Sequence, residues 1–161
     1  MAIRLRILAV ALPLVAGGCK YWLAGHSADH AVVIHGEGII DQSEGTSKFT
    51  VKLDGRDVVC QGTTAKADNS SGVIGAKAKF EATCNDGRTS TGEVVVTKLD
   101  GGTGAGTDDC GNQFQFVWST VEWWVKDQLE STRKAALQRG SQGRDKCDAA
   151  DDPPPHLEPF I

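Results

Sequence analysis

The sequence contains no hydrophobic run that is long enough to cross a bilayer. Its most apolar stretch extends from Leu5 to Val15. Such a run of about a dozen residues falls short of the roughly 20 that a transmembrane helix needs. Basic residues precede the stretch at Arg4 and Arg6, and Pro13 lies near its end. This layout argues against a membrane-spanning helix and is typical of the hydrophobic region of a secretory signal peptide.

The chain also lacks an excess of positive charge. Its 17 lysine and arginine residues are outnumbered by 21 aspartate and glutamate residues, which gives a net charge of −4. A net acidic chain without a basic stripe argues against nucleic acid as a partner. For the same reason, we expect no electrostatic attraction to an anionic membrane surface.

Motifs that carry enzymatic chemistry are missing as well. The sequence has neither a Gly-x-Ser-x-Gly elbow nor a His-Glu-x-x-His motif. His26 and His30 have a spacing that could bind a metal on a helix, but they lie in a segment that leads into a strand. Asp108 and Asp109 are adjacent, so their side chains would point apart in an extended chain. We therefore expect no catalytic residue, no metal site and no cofactor.

The residues that end the apolar stretch carry the most specific signal in the sequence. Small residues lead directly to a cysteine in the run Val15-Ala16-Gly17-Gly18-Cys19. This arrangement resembles the signal peptide of a bacterial lipoprotein, although Ala16 stands where leucine is commonest. The resemblance implies that residues 1–18 are removed and that Cys19 carries a diacylglycerol thioether and a further acyl chain such as palmitate. Ordinary secretory cleavage after Gly18 is the alternative.

The same resemblance implies an address for the mature chain. Lys20 follows the cysteine, where inner-membrane lipoproteins usually have aspartate, so we expect a lipid anchor in the outer membrane of a Gram-negative type envelope, facing the periplasm. Loss of residues 1–18 removes Arg4 and Arg6 and no acid, which leaves 143 residues with a net charge of −6. That length suits one domain with a hydrophobic core.

The cysteine pattern predicts disulfides once the chain is placed in an oxidising compartment. The five cysteines include no CxxC pair, which argues against zinc. With Cys19 set aside for lipid, four remain, and three connectivities are open. We favour Cys60–Cys84 and Cys110–Cys147, because the first pair lies in two strand-like segments and the second would staple the C-terminal region to them. A free Cys147 is the main alternative.

The middle of the chain has the pattern of an antiparallel sheet. Apolar and polar residues alternate in short runs, and three of these runs end at Asp54-Gly55, Asp86-Gly87 and Asp100-Gly101, which are typical of tight hairpin turns. We predict a mainly β fold over 31–118, a small antiparallel meander that forms a barrel-like or sandwich domain. Residues 19–30 are interpreted as a tether between lipid and domain.

Glycines at 102, 104 and 106 fall on alternate positions of one predicted strand. All three would face the same side of the sheet, and a face without side chains allows a backbone or a large ring to approach closely. Nearby aromatic residues could cover this face.

A helix is predicted after the last strand. Ser119-Thr120-Val121-Glu122 resembles a capping box, and apolar residues then recur at helical spacing. We predict one C-terminal amphipathic helix within 119–140 and a disordered tail over 141–161. The alternative is that the strand continues through Trp123.

Three tryptophans close to this junction are the candidate contacts for a ligand or partner. Trp118, Trp123 and Trp124 lie within seven residues. They are typical of helix-on-sheet packing, but an exposed member could stack on a sugar ring or bind a protein. We expect Trp123 to be the exposed one.

Together these features predict a lipid-anchored envelope protein with a non-enzymatic binding or structural role, whose partner would be an envelope protein or cell-wall glycan. Two alternatives are an inhibitor of lysozyme and an exclusion or assembly factor that binds an outer-membrane protein. Lysozyme inhibitors that are lipid-anchored resemble this plan, but their Ser-Gly-x-x-Tyr loop has no counterpart closer than Ser71-Gly72-Val73-Ile74.

Overall fold

The computed structural model describes residues 18–28, 32–68, 72–139 and 146–149 of the protein. The predicted signal peptide lies outside the described residues except for Gly18. The predicted disordered tail also lies outside them, apart from 146–149.

Eight antiparallel strands form a closed barrel in which each strand pairs with its neighbours in sequence and β1 pairs with β8. The predicted mainly β fold is therefore confirmed, and of the two architectures expected it is the barrel. The strands are β1 (Cys19–Ser27), β2 (Val33–Asp41), β3 (Thr46–Leu53), β4 (Val59–Thr64), β5 (Lys77–Cys84), β6 (Thr89–Lys98), β7 (Gly101–Asp108) and β8 (Gln113–Ser119).

Side chains alternate between the interior of the barrel and its outer wall. In β5, Ala78, Phe80 and Ala82 are buried, whereas Lys77 and Lys79 are exposed. Full burial of an aromatic side chain such as Phe80 contributes about 1.5–3 kcal/mol. Apolar side chains of this strand therefore face the interior of the barrel, and charged side chains face its outer wall.

The barrel has two rims, which are named here by their position relative to Cys19. The Cys19 rim contains the start of β1, the turn 42–45, the segments 65–68 and 72–76, and the turn 99–100. The distal rim contains Ala28, Val32 and the connections 54–58, 85–88 and 109–112. At the distal rim, Gly55 and Gly87 have φ angles of 73° and 89°. Two of the predicted Asp-Gly turns are thus confirmed in the conformation that glycine adopts without strain.

The prediction of a tether over 19–30 is wrong, because most of this segment is strand β1. Tyr21 and Leu23 point into the barrel and are only 6% and 4% exposed. The strand pairs with β2 on one side and β8 on the other, so it closes the barrel. Closure satisfies the backbone groups that an edge strand would leave unpaired, and this requirement is not visible in local sequence.

The C-terminal helix is confirmed, with a later start than predicted. Ser119 is the last residue of β8, and helix α1 spans Glu122–Arg139. The Ser119 hydroxyl accepts a hydrogen bond from the Val121 amide at 3.1 Å and donates one to the Asp100 carbonyl at 2.8 Å. Its side chain thus fixes the strand-to-helix junction, and the alternative of a strand through Trp123 is wrong.

Helix α1 lies on the outer wall of the barrel, mainly against β1. Val125 of the helix and Ala24 of β1 are both 3% exposed. The helix runs from the Cys19 rim towards the distal rim, where Arg133 forms an ion pair with Asp54 at 2.6 Å. A single turn of helix, α2 (Lys146–Ala149), is also described. No helix among the described residues has the length and apolar character needed to cross a membrane.

Both predicted disulfides are present. Cys60 and Cys84 are directly opposite each other on β4 and β5. Cys110, in the β7–β8 turn, is bonded to Cys147 of α2. The second bond attaches the C-terminal segment to the distal rim, as the sequence predicted.

Candidate functional site

The interior of the barrel contains an elongated, mostly apolar cavity of about 200 Å³. Aromatic rings cross it from several strands and contact one another edge to face or tilted. Phe80 is central, since its ring centroid lies 5.8–6.1 Å from those of three other phenylalanines. The aromatic side chains that line the cavity are Tyr21, Phe49, Phe80, Phe114, Phe116 and Trp118.

Space for these rings comes from glycines on the neighbouring strand. In the register of β7 and β8, Gly102 pairs with Trp118, and Gly104 pairs with Phe116. A Cβ atom placed on Gly104 would lie only 2.2 Å from Cζ of Phe116. The predicted glycine face is therefore confirmed, and the rings that cover it come from the next strand along the chain.

A small polar cluster lies in the cavity towards the Cys19 rim. The Tyr21 hydroxyl is 3.1 Å from Oγ of Ser47, which is 3.2 Å from Oγ1 of Thr64. Burial raises the pKa of Tyr21 above its usual value, so the phenol stays neutral. This cluster can donate and accept hydrogen bonds without introducing charge.

Trp118 lines the cavity, and its indole is one of two described side chains with a buried polar atom that has no hydrogen-bond partner. Its Nε1 atom is buried and makes no hydrogen bond. The indole packs edge to face on Tyr21, with ring centroids 5.8 Å apart. A buried N–H without an acceptor costs about 1–3 kcal/mol, so an acceptor that reached this atom would be stabilised.

The three tryptophans predicted as candidate contacts occupy three different environments. Trp118 lines the cavity, Trp123 is 72% exposed on the helix, and Trp124 is half-buried beneath Nζ of Lys98, which lies 3.8 Å from its ring centroid. Trp123 is thus the exposed residue, as predicted. Trp118 cannot share a surface platform with it, because their side chains lie on opposite sides of the barrel wall.

Asp108, at the end of β7, and the adjacent Asp109 form hydrogen bonds that hold the β7–β8 turn. Oδ1 of Asp108 accepts hydrogen bonds from the amides of Cys110 and Asn112 at 3.1 and 2.8 Å. Asp109 accepts one from the Thr89 amide at 3.1 Å. The sulfur atoms nearby belong to the Cys110–Cys147 disulfide. These carboxylates therefore organise the turn, and a disulfide sulfur is not a thiolate ligand for a metal.

The described histidines do not come together as metal ligands. Nδ1 of His26 lies 2.7 Å from the Ser27 carbonyl oxygen. His35 is on the outer wall, where its Nδ1 is 4.0 Å from a carboxylate oxygen of Asp54. Burial lowers the pKa of His35, and the Asp54 carboxylate opposes this shift. His30 lies outside the described residues.

Cys19, the predicted lipidation residue, is the first residue of β1 and is half-buried. Its thiol is free, whereas the other four cysteines of the chain are bonded in pairs. The predicted lipid attachment point therefore lies at one rim of the barrel, with no intervening linker.

Reasoning from sequence missed the interior cavity. The available signal was the alternation of glycine in β7 with aromatic residues in β8, which places bare positions opposite large rings. That pattern predicts close approach, but a cavity also requires knowledge that the sheet closes.

Comparisons with known proteins support the fold and add no function. No protein-family model matches the chain, and no curated protein matches it. Among solved structures, the chain is similar to a de novo designed fluorescence-activating β-barrel, with 16% sequence identity and a TM-score of 0.50. The match covers 65% of this chain and 93% of the designed one. At this identity, the similarity shows the barrel fold alone.

Proposed function

We propose that this protein is a lipid-anchored envelope protein with a non-enzymatic binding role, and that its ligand is a small apolar molecule held inside the barrel. The observation that carries the binding role is the apolar cavity lined by aromatic side chains, among them Trp118, whose buried Nε1 has no hydrogen-bond partner among the described residues. Anchoring is through acylated Cys19 in the outer membrane, facing the periplasm.

The pairing of the cysteines supports the anchor. Two disulfides use Cys60, Cys84, Cys110 and Cys147, so the thiol of Cys19 is available for a thioether. Disulfides are also typical of proteins outside the cytoplasm. More than one acyl chain is needed for firm attachment, which agrees with the multiple acylation that the lipoprotein signal implies.

The size of the cavity limits the ligand. Eight-stranded barrels have interiors that are filled by side chains or hold one small ligand. An apolar cavity of roughly 150 Å³ accommodates benzene, so a cavity of about 200 Å³ suits a substituted single ring. The Trp118 donor favours a ligand with one hydrogen-bond acceptor, such as a carbonyl oxygen.

The binding role is tested with two probes of nearly equal shape, acetophenone and ethylbenzene, titrated calorimetrically into the mature chain with Cys19→Ser. Acetophenone should bind roughly 3–10-fold more tightly, because only it accepts a hydrogen bond from Trp118. Trp118→Phe should remove this preference, and Trp123→Phe should keep it. Absence of saturable binding by both probes would refute the binding role.

A second pair of variants tests whether the ligand lies inside the barrel. Ala82 faces the cavity and is 7% exposed, whereas Ala105 is exposed on the outer wall of β7. Ala82→Leu should fill part of the cavity and abolish probe binding, while Ala105→Leu should leave it unchanged. Equal effects of the two substitutions would place the probe elsewhere. Circular dichroism of both variants controls for folding.

The anchor is tested separately by intact mass measurement of protein purified from a bacterial envelope. The expected mass includes acyl groups on Cys19 and the loss of four hydrogens for the two disulfides. Cys19→Ser should abolish the acyl mass and release the protein from the membrane fraction. A membrane-associated Cys19→Ser protein with unchanged processing would refute the anchor.

A further inference from the structure

Exposed apolar side chains are concentrated at one end of the barrel. Among the described residues, six large apolar side chains are more than half exposed, and five of them lie at or near the Cys19 rim. The sixth, Leu137, lies near the C-terminal end of helix α1, beyond the contact of Arg133 with the distal rim. The five are Ile39, Val73, Ile74, Leu99 and Trp123, called here the apolar rim residues.

Four of the apolar rim residues lie on elements that neighbour one another around the rim. The Gly75 amide donates to the Val96 carbonyl at 2.8 Å, which holds Val73 and Ile74 beside the end of β6. Leu99 follows β6 in the turn to β7. Lys98, next to Leu99, covers the ring of Trp124, whose neighbour in the helix is Trp123. These side chains are therefore exposed on neighbouring elements of the same rim.

Ile39 extends this surface to the predicted lipid attachment point. A Cβ atom placed on Gly18 would lie 2.2 Å from Cγ2 of Ile39, and Cys19 pairs with Ile40 in the β1–β2 register. Acyl chains on Cys19 would thus leave the protein at the same rim that exposes the apolar side chains.

The distal rim lacks this apolar surface. None of the large apolar side chains that are more than half exposed lies in the described turns of the distal rim. Both rims carry acidic side chains, so the rims differ in exposed apolar area and not in charge. Tryptophan and leucine are common where proteins meet the membrane interface. The difference in exposed apolar side chains therefore favours one orientation towards a bilayer.

We infer that the Cys19 rim is a membrane-docking surface, on which the barrel stands end-on with the apolar rim residues in contact with the lipid interface. This inference rests on the proposed anchor for its biological setting. A tether raises the effective concentration of a second, weak contact into the millimolar range, so modest affinity of the rim for lipid is sufficient.

The test uses two leucines that match in all but position. Leu99 is 83% exposed at the Cys19 rim, and Leu137 is 82% exposed at the other end of the molecule. Leu99→Asp and Leu137→Asp change the charge by the same amount. Both are made in the mature chain with Cys19→Ser, which removes the acyl groups so that the rim alone is measured.

Binding to phosphatidylcholine vesicles is measured by sedimentation and by quenching of tryptophan fluorescence with brominated acyl chains. Leu99→Asp should lower the partition coefficient about tenfold, and Leu137→Asp should stay within about twofold of the parent. Equal partitioning of the three proteins, including no partitioning by any of them, would overturn the inference. So would loss of crosslinking to an envelope protein on Leu99→Asp without a change in lipid binding.

The outcome separates rim docking from anchoring. If Cys19 is acylated but the Cys19→Ser form shows no partitioning that depends on the rim, the proposed anchor is supported and the docking surface is refuted. If the protein from the envelope carries no acyl groups but its Cys19→Ser form still partitions into vesicles through Leu99, the proposed anchor is refuted and the docking surface is supported.

Discussion

Arg133 on the C-terminal helix donates two hydrogen bonds to the carboxylate of Asp54 in the β3–β4 turn. Its Nε donates to Oδ2 at 2.6 Å and its Nη2 donates to Oδ1 at 2.9 Å. The two residues are 79 positions apart in sequence. Their contact fixes the C-terminal half of α1 against the distal rim of the barrel. Paired parallel hydrogen bonds of this kind are the strongest form of an arginine–carboxylate contact.

We expect Arg133→Met to lower the free energy of unfolding by about 1 kcal/mol, because both side chains are about one-third exposed and water screens the pair. Lys134→Met removes a neighbouring exposed positive charge and serves as the control. Urea unfolding of the parent, Arg133→Met, Asp54→Asn and the double variant forms a double-mutant cycle, which measures the coupling energy of the pair. Lys134→Met is unfolded in parallel. A cycle energy near zero would show that the pair does not hold the helix.

Stability should fall in two stages as the solution is acidified. Burial lowers the pKa of His35 below its usual 6.5. The unfolded chain therefore binds a proton first, and stability is lost as the pH falls below that value. Hydrogen bonds from Arg133 lower the pKa of Asp54 below 3.8, so its contribution is complete above that value and is lost as the pH falls through the lower, folded pKa.

The two stages can be separated by substitution and thermal unfolding at a series of pH values. His35→Gln should flatten the dependence below pH 6.5. Asp54→Asn should flatten it below pH 3.8 and enlarge the upper stage, because the carboxylate that opposes the fall in the pKa of His35 is removed. Persistence of the upper stage in His35→Gln would assign it to another group.

Substitution of Gly104 should destabilise the barrel more than substitution of its outward-facing neighbour. Gly104→Ala places a methyl group against the ring of Phe116, which is confined by Phe80 and Phe114. Overpacking of this kind costs about 1–3 kcal/mol. Ala105→Thr, on the exposed side of the same strand, should be close to neutral. Chemical unfolding of both variants measures the difference, and similar free energies would contradict the close packing of ring and glycine.

Removal of the Cys110–Cys147 disulfide by a double serine substitution should destabilise the chain by up to about 3–4 kcal/mol in the chain-entropy model. The same substitution at Cys60 and Cys84 provides the comparison, since those residues are also held by strand pairing. Unfolding midpoints under oxidising and reducing conditions measure each contribution. A midpoint that does not respond to reductant in the parent protein would contradict both estimates.

Local patterns in the sequence predicted many elements correctly because their causes are local. Asp54-Gly55 and Asp86-Gly87 form turns, since glycine adopts positive φ readily, and the helical spacing after Ser119 produces α1. The pairing of Cys60 with Cys84 also followed from two strand-like segments. The segment 19–30 was misread, because its role in β1 depends on partners that are distant in sequence.

The candidate site shows the same division. The aromatic residues and glycines could be assigned to one face of a sheet, and Trp123 could be identified as the exposed tryptophan. The cavity could not be predicted, because it exists only where strands far apart in sequence enclose a space. The unpaired indole of Trp118 is likewise a property of that enclosed space.

The sequence by itself determined the periodic strands, the tight turns, the C-terminal helix and the cysteines available for pairing, since each follows from the preferences of neighbouring residues. Only the tertiary structure decided that β1 closes the sheet against β8, that Trp118 faces an interior cavity, and that the exposed apolar residues gather at the Cys19 rim. These features arise from contacts between strands, where register and closure determine which residues share a surface.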